Sequence, residues 1–393
     1  VKAVLPRVIY GNLGDLASRW GVLRALHRLG VTEVTVFRNL AGDTPPLPFH
    51  SLPYRPLHNL WLDRPAWQAL RRSDTVLWAV GLDMQDDSSL ARLIYLWTAF
   101  RLYRALGLRI ICLFQGAGPI TTRAGRWLAR AVLDQVDVFV ARDPGTSALI
   151  EKLNPRPRRI VANDAIFLPG LEDDRRPHEA LAPLLAGGRP VIGVNVRQWF
   201  HFASSLVPYQ FSRRAYQHRS EARMPALLNV MAEVVGRLRT RLAARVLLIS
   251  AYQPGIRPWE DDLPWLARIK ARFAEDDEVQ LVHWPLEMPP YYDLMARLDA
   301  MIGMRLHSSL VALRFGVPSV NISYTLKGGD ILRHMGLPES VFSLEAFLHS
   351  PEAMWTRLEA ILAQHEVEHR RVQEAVNRAI AHNLAVLQEL LHE

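Results

Sequence analysis

The chain is nearly without cysteine and lysine, and no long apolar run interrupts it. Its one cysteine, Cys112, cannot form an internal disulfide, and no metal site can be built on thiolates. Such thiol poverty suits a reducing compartment. Cys112 lies in the run Ile110-Ile111-Cys112-Leu113-Phe114, which reads as a packed core thiol. Of 47 basic residues only Lys2, Lys152, Lys270 and Lys327 are lysine; the rest are arginine. That arginine bias, with a net charge of +8 and a pI of about 9.9, reflects genome composition or heat tolerance, or else serves an anionic partner. No run of like charges concentrates that charge, so no nucleic acid is expected as partner. No segment reaches the ~18 apolar residues of a membrane span. Residues 91–114 come nearest and are broken by Arg92, Arg101, Arg104 and Arg109. The apolar residues 4–10 pass straight into Gly11-Asn12, unlike a signal peptide. A cytoplasmic protein is expected, with peripheral contact to the inner membrane face left open.

What the chain does have is an alternating grammar. The 393 residues, 49% hydrophobic, suffice for two to three domains. Short apolar runs at 8–10, 34–37, 75–80, 110–114 and 136–141 read as strands. Amphipathic patterns at 15–29, 90–106, 123–133 and 145–153 read as helices. Residues 154–190, rich in proline, have linker composition. The alternation then restarts, with strands expected at 191–196, 246–250, 279–283, 300–303 and 319–322. Helices are expected at 222–242, 265–273, 291–298 and 308–315. The tail after residue 350 reads as one or two long helices. The expected fold is α/β: two Rossmann-like lobes with an interlobe cleft and C-terminal helices. The expected boundaries are 1–170, 185–350 and 351–393.

In open parallel sheets ligands bind beyond the carboxyl ends of strands. Four such ends stand out. Gly11-Asn12-Leu13-Gly14-Asp15 permits a tight turn and close backbone approach, or is merely a capped helix start. Gln115-Gly116-Ala117-Gly118-Pro119 is half a dinucleotide fingerprint and lacks its third glycine, so NAD is discounted. Asn195-Val196-Arg197-Gln198-Trp199 can aim an arginine fork into the cleft. Gly303-Met304-Arg305-Leu306-His307-Ser308-Ser309 opens a helix, whose N-terminus attracts anions. There Arg305 can clamp an anion and His307 can move a proton near neutral pH. Lys327 falls at another strand–helix mouth, where it serves a site or simply solvates the surface. Asp83, Asp86 and Asp87 suit an oxygen-ligated metal or, more simply, a solvated turn. The aromatic-arginine stretch 95–104 suits a membrane face or a buried crossover helix.

Taken together, these motifs resemble the polysaccharide pyruvyl transferase family, its cell-wall branch above all. The matching pieces include residues 11–15, 115–119, Ala141-Arg142-Asp143, Asn163-Asp164-Ala165-Ile166-Phe167, residues 194–199, and the run from Met304 through Gly316-Val317-Pro318 to Lys327 and Gly336-Leu337. The resemblance implies a fold like that of GT-B glycosyltransferases, with phosphoenolpyruvate as donor and no separate cofactor or metal. It implies a sugar diol, on a glycan or its lipid-linked precursor, as acceptor, and a pyruvate ketal as product. Arg197, Arg305, Leu306, His307 and Lys327 are the implied donor positions, with His307 as catalytic acid. Asn12, Asp15 and Gln115 are the implied acceptor positions. Three departures stand beside the match. Residues 79–85 read Ala-Val-Gly-Leu-Asp-Met-Gln where the family has a glycine-rich run, Leu16 follows Gly-Asp, and no aspartate precedes Lys327. A GT-B glycosyltransferase using a nucleotide sugar, gripping its ribose through Glu339 or Glu345, is the alternative. A non-catalytic glycan-binding homologue is another.

Overall fold

Parallel strands must be covered on both faces, which is why the strands here are near-continuous apolar runs. The computed structural model describes residues 1–53, 63–87, 89–198, 209–257, 260–282, 287–324 and 329–392; at 41 and 209–220 it describes the backbone alone. In the first lobe the strands are β1 (Ala3–Leu5), β2 (Val34–Arg38), β3 (His50–Pro53), β4 (Thr75–Ala79), β5 (Arg109–Gln115), β6 (Val138–Ala141) and β7 (Arg158–Val161). Its helices are α1 (Leu13–Arg28), α2 (Arg64–Arg72), α3 (Leu90–Ala105), α4 (Arg123–Leu133) and α5 (Pro144–Leu153). The second lobe holds β8 (Val191–Asn195), β9 (Arg245–Ile249), β10 (Val279–Val282), β11 (Ala300–Gly303), β12 (Ser319–Ser323) and β13 (Val341–Ser343). Its main helices are α6 (Tyr209–Leu242), α7 (Leu263–Lys270), α8 (Met288–Ala296), α9 (Leu306–Arg314), α10 (Asp330–His334) and α11 (Leu344–His349). Two further helices follow, α12 (Glu352–Ala363) and α13 (His365–His392).

Among the described residues the first sheet has seven strands in the order β3-β2-β1-β4-β5-β6-β7, and the second has six in the order β10-β9-β8-β11-β12-β13. All named pairings are parallel. Both sheets therefore reverse their winding once, between β1 and β4 and between β8 and β11. At such a reversal neighbouring crossovers leave on opposite faces and open a crevice. The loops after β1, β4, β8 and β11 are thus the places where topology allows a ligand.

The expected strand at residues 8–10 is a correction. The ladder runs over Ala3–Leu5 instead, and Pro6, which has no N–H to donate, follows its last residue. Val8 and Ile9 are buried, but outside any strand. The stretch read as linker from 154 to 190 also differs. It contains β7 and then the buried residues 162–168, which complete the first lobe's core. The edge strands β3, β7 and β13 were not anticipated, because edges need not be continuously apolar. The segment 95–104 lies in α3, whose Leu93, Leu96, Ala99, Phe100 and Tyr103 are buried as a crossover helix requires. Cys112 is a buried free thiol, and burial pushes its pKa up.

One buried apolar cluster runs across both lobes, from Leu16 and Leu23 of α1 through Tyr291 and Tyr292 of α8 and Leu310 of α9 to Leu387 of α13. The lobes are thus packed together beside the crevice. α12 inserts Trp355 and Leu358 into the second lobe's own core, and α13 returns to the first lobe. There the buried Asn383 accepts from Asn163 N–H at 2.8 Å and donates to the Asp164 and Phe167 carbonyls at 2.9 and 3.3 Å. Asn383→Leu removes the partner of the Asn163 N–H and the Phe167 carbonyl, each worth about 1–3 kcal/mol when left unpaired, while the Asp164 carbonyl keeps its bond from Phe167 N–H. Equilibrium denaturation in urea is expected to show a loss of that order. An unchanged midpoint would mean that α13 is not what fixes the 163–167 turn.

Candidate active site

Helix α1 begins at the first switch point. Gly11 takes φ +78°, in the left-handed region open to glycine. Asn12 then caps the helix, its side-chain oxygen accepting from Gly14 N–H at 3.0 Å and Asp15 N–H at 3.4 Å. This loop meets the end of β9. Asn12 forms an antiparallel bridge with Tyr252, Leu13 N–H donates to the Ala251 carbonyl at 3.0 Å, and Gln253 N–H donates to the Gly11 carbonyl at 2.8 Å. The Tyr252 hydroxyl donates to the Tyr10 carbonyl. Strand ends from two lobes are thereby stitched into one floor.

His307 enters this floor from the first turn of α9. A Cβ on Gly14 would overlap the His307 Cβ, so only glycine admits the imidazole here. His307 Nε2 lies 3.2 Å from Asp164 Oδ2, and its Nδ1 lies 3.8 Å from Asp15 Oδ1. Asp164 is buried and also accepts from Ser18 Oγ at 2.6 Å, from Ile166 N–H at 3.1 Å and from Arg142 at 3.4 Å. Burial alone would raise its pKa. The His307 charge and hydrogen bond, Arg142 and Ser18 outweigh burial and hold it well below the usual carboxylate range. An ionised carboxylate only accepts, so Nε2 carries the proton it shares with Asp164. Nδ1 is then the nitrogen turned toward Asp15.

At the second switch point Arg305 follows β11. An arginine free to fork onto a ligand was expected; the structure shows the fork already filled. Arg305 is 4% exposed, and its Nε and Nη2 donate to Asp262 at 2.6 and 2.9 Å. Asp262 is fully buried and is tied to Asn195 and to the Ala251 N–H. Asn195 Oδ1 in turn accepts from Arg305 N–H at 3.1 Å. The remaining nitrogen, Arg305 Nη1, is buried without a hydrogen-bond partner, 4.0 Å from Glu260 Oε2. No side chain caps α9, so its first N–H groups keep their positive potential. Leu306 contributes one of those backbone groups. Arg197, after β8, donates to the Tyr324 hydroxyl and, at 3.1 Å, to Glu260. Burial works against the Glu260 carboxylate, but Arg197, Arg305, Arg257 and Arg92 together keep its pKa lowered.

Other expected site residues lie as follows. Gln115 is buried, its amide nitrogen donating to the Trp78 carbonyl at 3.1 Å and to the Val80 carbonyl. It braces β4 against β5. Lys327 and Trp199 lie outside the described residues. Asp83 pairs with Arg7 and accepts from Trp78 Nε1 at 3.1 Å, while Asp86 accepts from Thr121 and Thr122 N–H at 2.9 and 2.8 Å. Glu339 pairs with Arg371 at 2.8 Å and Glu345 is exposed on α11, so neither joins this site. Where a glycine-rich run was looked for, Val80 takes φ +61°, an outlying conformation for a β-branched residue. Asp164, Asp262 and Glu260 were missed as site residues. For Asp164 the signal was its place in the 163–167 segment that matches the family; for the other two it was the acidic trio Glu260-Asp261-Asp262 after a strand.

Comparison with known proteins gives a consistent picture. The family model described as polysaccharide pyruvyl transferase matches residues 12–325. The amylovoran biosynthesis protein AmsJ of Erwinia amylovora is 28% identical over 85 residues, 22% of this chain and 20% of that protein. The matched stretch thus spans about a fifth of that relative's length. Among solved structures, a UDP-GlcNAc 2-epimerase from Neisseria meningitidis superposes with a TM-score of 0.56 at 12% identity, covering 100% of both chains. A UDP-forming trehalose-phosphate synthase from Burkholderia vietnamiensis gives 0.56 at 11%, covering 99% of each. At such identities the likeness concerns the two-lobed GT-B-like fold alone.

The Asp164 geometry sets a pH dependence. Its native pKa is depressed below the unfolded value near ~3.9. Its contribution to stability is therefore present above about pH 4 and is lost as pH falls through the native pKa. Between about pH 5 and pH 2, stability of the wild type is expected to fall more steeply than that of Asp164→Asn. Parallel acid limbs in urea titrations would show that this carboxylate is not held down by its partners.

Proposed function

The chain belongs to the polysaccharide pyruvyl transferase family, and from that premise we propose that it moves the enolpyruvyl group of phosphoenolpyruvate onto a sugar diol of a cell-surface glycan or its lipid-linked precursor. A pyruvate ketal forms and phosphate is released. The observation that carries the reading is the mouth of α9. An uncapped helix N-terminus, the unpartnered buried Arg305 Nη1 and Arg197 converge there. A phosphate and a carboxylate on one small molecule suit that set of donors. Asp262 is the positioning residue, since it fixes two of the three Arg305 nitrogens and leaves the third for the ligand.

In this reading His307 delivers a proton to the methylene carbon, which becomes the methyl group. The neighbouring carbon gains oxocarbenium character and is attacked by one sugar hydroxyl. Its bond to the phosphate oxygen breaks, and the second hydroxyl closes the ring. One hydroxyl proton returns to His307 and the other leaves with phosphate. Asp164 holds His307 Nε2 and steadies the imidazolium. Asp15 faces Nδ1 and is the acceptor-side group best placed to bind the diol. The side-chain oxygen of Asn12 is occupied by its cap, and the amide nitrogen of Gln115 by β4, so they shape the acceptor floor rather than grip it. Lys327 completes the donor set in this reading. Phosphoenolpyruvate is a cytoplasmic metabolite, which places the reaction there. Among the described residues no helix is long and apolar enough to cross a membrane.

Two variants separate binding from chemistry. His307→Gln keeps a polar group but cannot shuttle a proton. Phosphate release from phosphoenolpyruvate with a panel of sugar acceptors is expected to fall ~100- to 10,000-fold, with donor affinity changed far less. Turnover near that of the wild type would remove His307 from the chemistry. Arg197→Ala is expected to weaken donor binding by about 1.5–3 kcal/mol in calorimetry, the worth of a charge-assisted hydrogen bond. Unaltered affinity would overturn the donor assignment. Arg305→Ala is the poorer test, because it strands the buried Asp262 and costs about 3–5 kcal/mol of fold stability.

A further inference from the structure

We propose that the outer face of α3 and α4 is a docking surface for an anionic lipid bilayer. From residue 89 to residue 133 the chain carries seven arginines and no aspartate, glutamate or lysine. That stretch contains both helices. Arg104 is held at home by Asp137 at 2.8 Å. Arg92 turns toward the 82–83 loop, donating to the Leu82 carbonyl at 3.2 Å. Arg101, Arg123, Arg126 and Arg130 have no carboxylate partner among the described residues. Arg101 instead stacks over the Trp97 ring, 5.3 Å from its centroid.

The same face also leaves large apolar side chains open. Trp127 is 63% exposed and Ile94 is 40% exposed, two of the four large hydrophobic side chains left open among the described residues. Trp97 and Trp127 lie 6.5 Å apart between ring centroids and join the two helices into one aromatic ridge. Tryptophan amid arginine is the composition that settles at the headgroup level, the ring among the upper acyl chains and the cation at the phosphates. Neutral bilayers answer only the aromatic part of such a surface. Anionic bilayers answer both parts.

The placement fits a membrane-bound substrate. Each helix of a βα unit starts at the carboxyl end of the preceding strand, the side on which the crevice opens. Ile94 and Trp97 occupy the first two turns of α3, and Arg123 and Trp127 those of α4. The ridge therefore borders the candidate site rather than the far end of the lobe. A bilayer touching it would bring headgroup-linked glycans to the mouth of the crevice. This last step rests on the reading of the site as acting on a lipid-linked glycan; the docking surface itself does not.

Co-sedimentation of the full chain with vesicles tests the proposal without donor or acceptor, so its outcome is separate from that of the pyruvyl transfer assay. The wild type is expected to bind phosphatidylglycerol–phosphatidylcholine vesicles at least tenfold more tightly than pure phosphatidylcholine, and to be released as salt rises. Trp127→Ser with Ile94→Ser, and separately Arg101→Glu with Arg123→Glu and Arg126→Glu, are each expected to lose tenfold or more of that binding. Reversing three arginines is expected to exceed a hundredfold, at about fivefold per charge removed. All five positions lie outside the donor and acceptor sets, so phosphate release with a water-soluble acceptor is expected to persist in both variants. Equal binding to neutral and anionic vesicles overturns the proposal, as does full binding by both variants. Tighter binding of a DNA duplex through the same arginines would make the face a nucleic-acid surface and overturn it too.

Discussion

The approach of His307 to Gly14 is the contact on which the arrangement of the two lobes turns. An imidazole from α9 sits against the bare backbone at the start of α1 and reaches a buried carboxylate beyond it. Three conditions must hold together for this. Position 14 must lack a side chain. Ser18, one turn further along α1, must orient Asp164 from behind. Residues 163–167 must be fixed, which Asn383 of the returning helix α13 does. Four remote segments thus converge on one ring. A packed core joins the same elements, so the contact is built into the interior rather than made by flexible loops.

Much of the chain's excess of arginine is structural on close view. Arg305 pairs with Asp262, Arg7 with Asp83, Arg24 with Asp174 and Arg357 with Glu368. Each joins segments distant in sequence or closes a loop, and each uses the planar fork that lysine lacks. Pairs buried this deeply are weak contributors to net stability, because desolvation offsets most of the attraction. What they supply is geometry. Removing one partner leaves an uncompensated charge, so the pairs hold their segments in register even where they add little to stability. Basic residues outnumber acidic ones by eight, and among the described residues Arg101, Arg123, Arg126 and Arg130 of the α3–α4 face are arginines without a carboxylate partner.

The sequence makes the core strands and the helix starts visible, and for a physical reason. Doubly covered parallel strands are apolar throughout and covering helices carry a 3.6-residue period, so 300–303 coincides with β11 and 123–133 with α4 without adjustment. Edge strands answer to no such rule, and β3, β7 and β13 went unseen. Arg305 and His307 were legible because one helix start presents both. Their partners were not. Asp164 lies in a proline-rich stretch whose composition suggested a linker, yet it is among the most buried carboxylates of the chain. Asp262 belongs to an acidic trio that would ordinarily be solvated, and only the closing of the loop after β9 onto Asn195 takes it inside. Periodicity reports what faces the core of an element. It cannot report which buried charge will meet which across 43 or 143 residues.

The two carboxylates beside the arginines differ in a way that bears on what the site can bind. Asp262 is fully buried, with Arg305, Asn195 and the Ala251 N–H around it. Glu260 is partly exposed, and its carboxylate accepts a hydrogen bond from Arg197. An incoming anion therefore competes with Glu260 for Arg197 and cannot compete with Asp262 for Arg305. A small monocarboxylate would replace one charge by another and gain little, since the repulsion from Glu260 would remain. A ligand with two anionic groups can meet Arg305 Nη1 and the α9 N–H groups with one and displace Glu260 with the other. Under the proposed function this makes Glu260 the residue that discriminates phosphoenolpyruvate from pyruvate. The discrimination follows from charge count and from the differing burial and hydrogen bonding of two neighbouring acids, with no steric filter required.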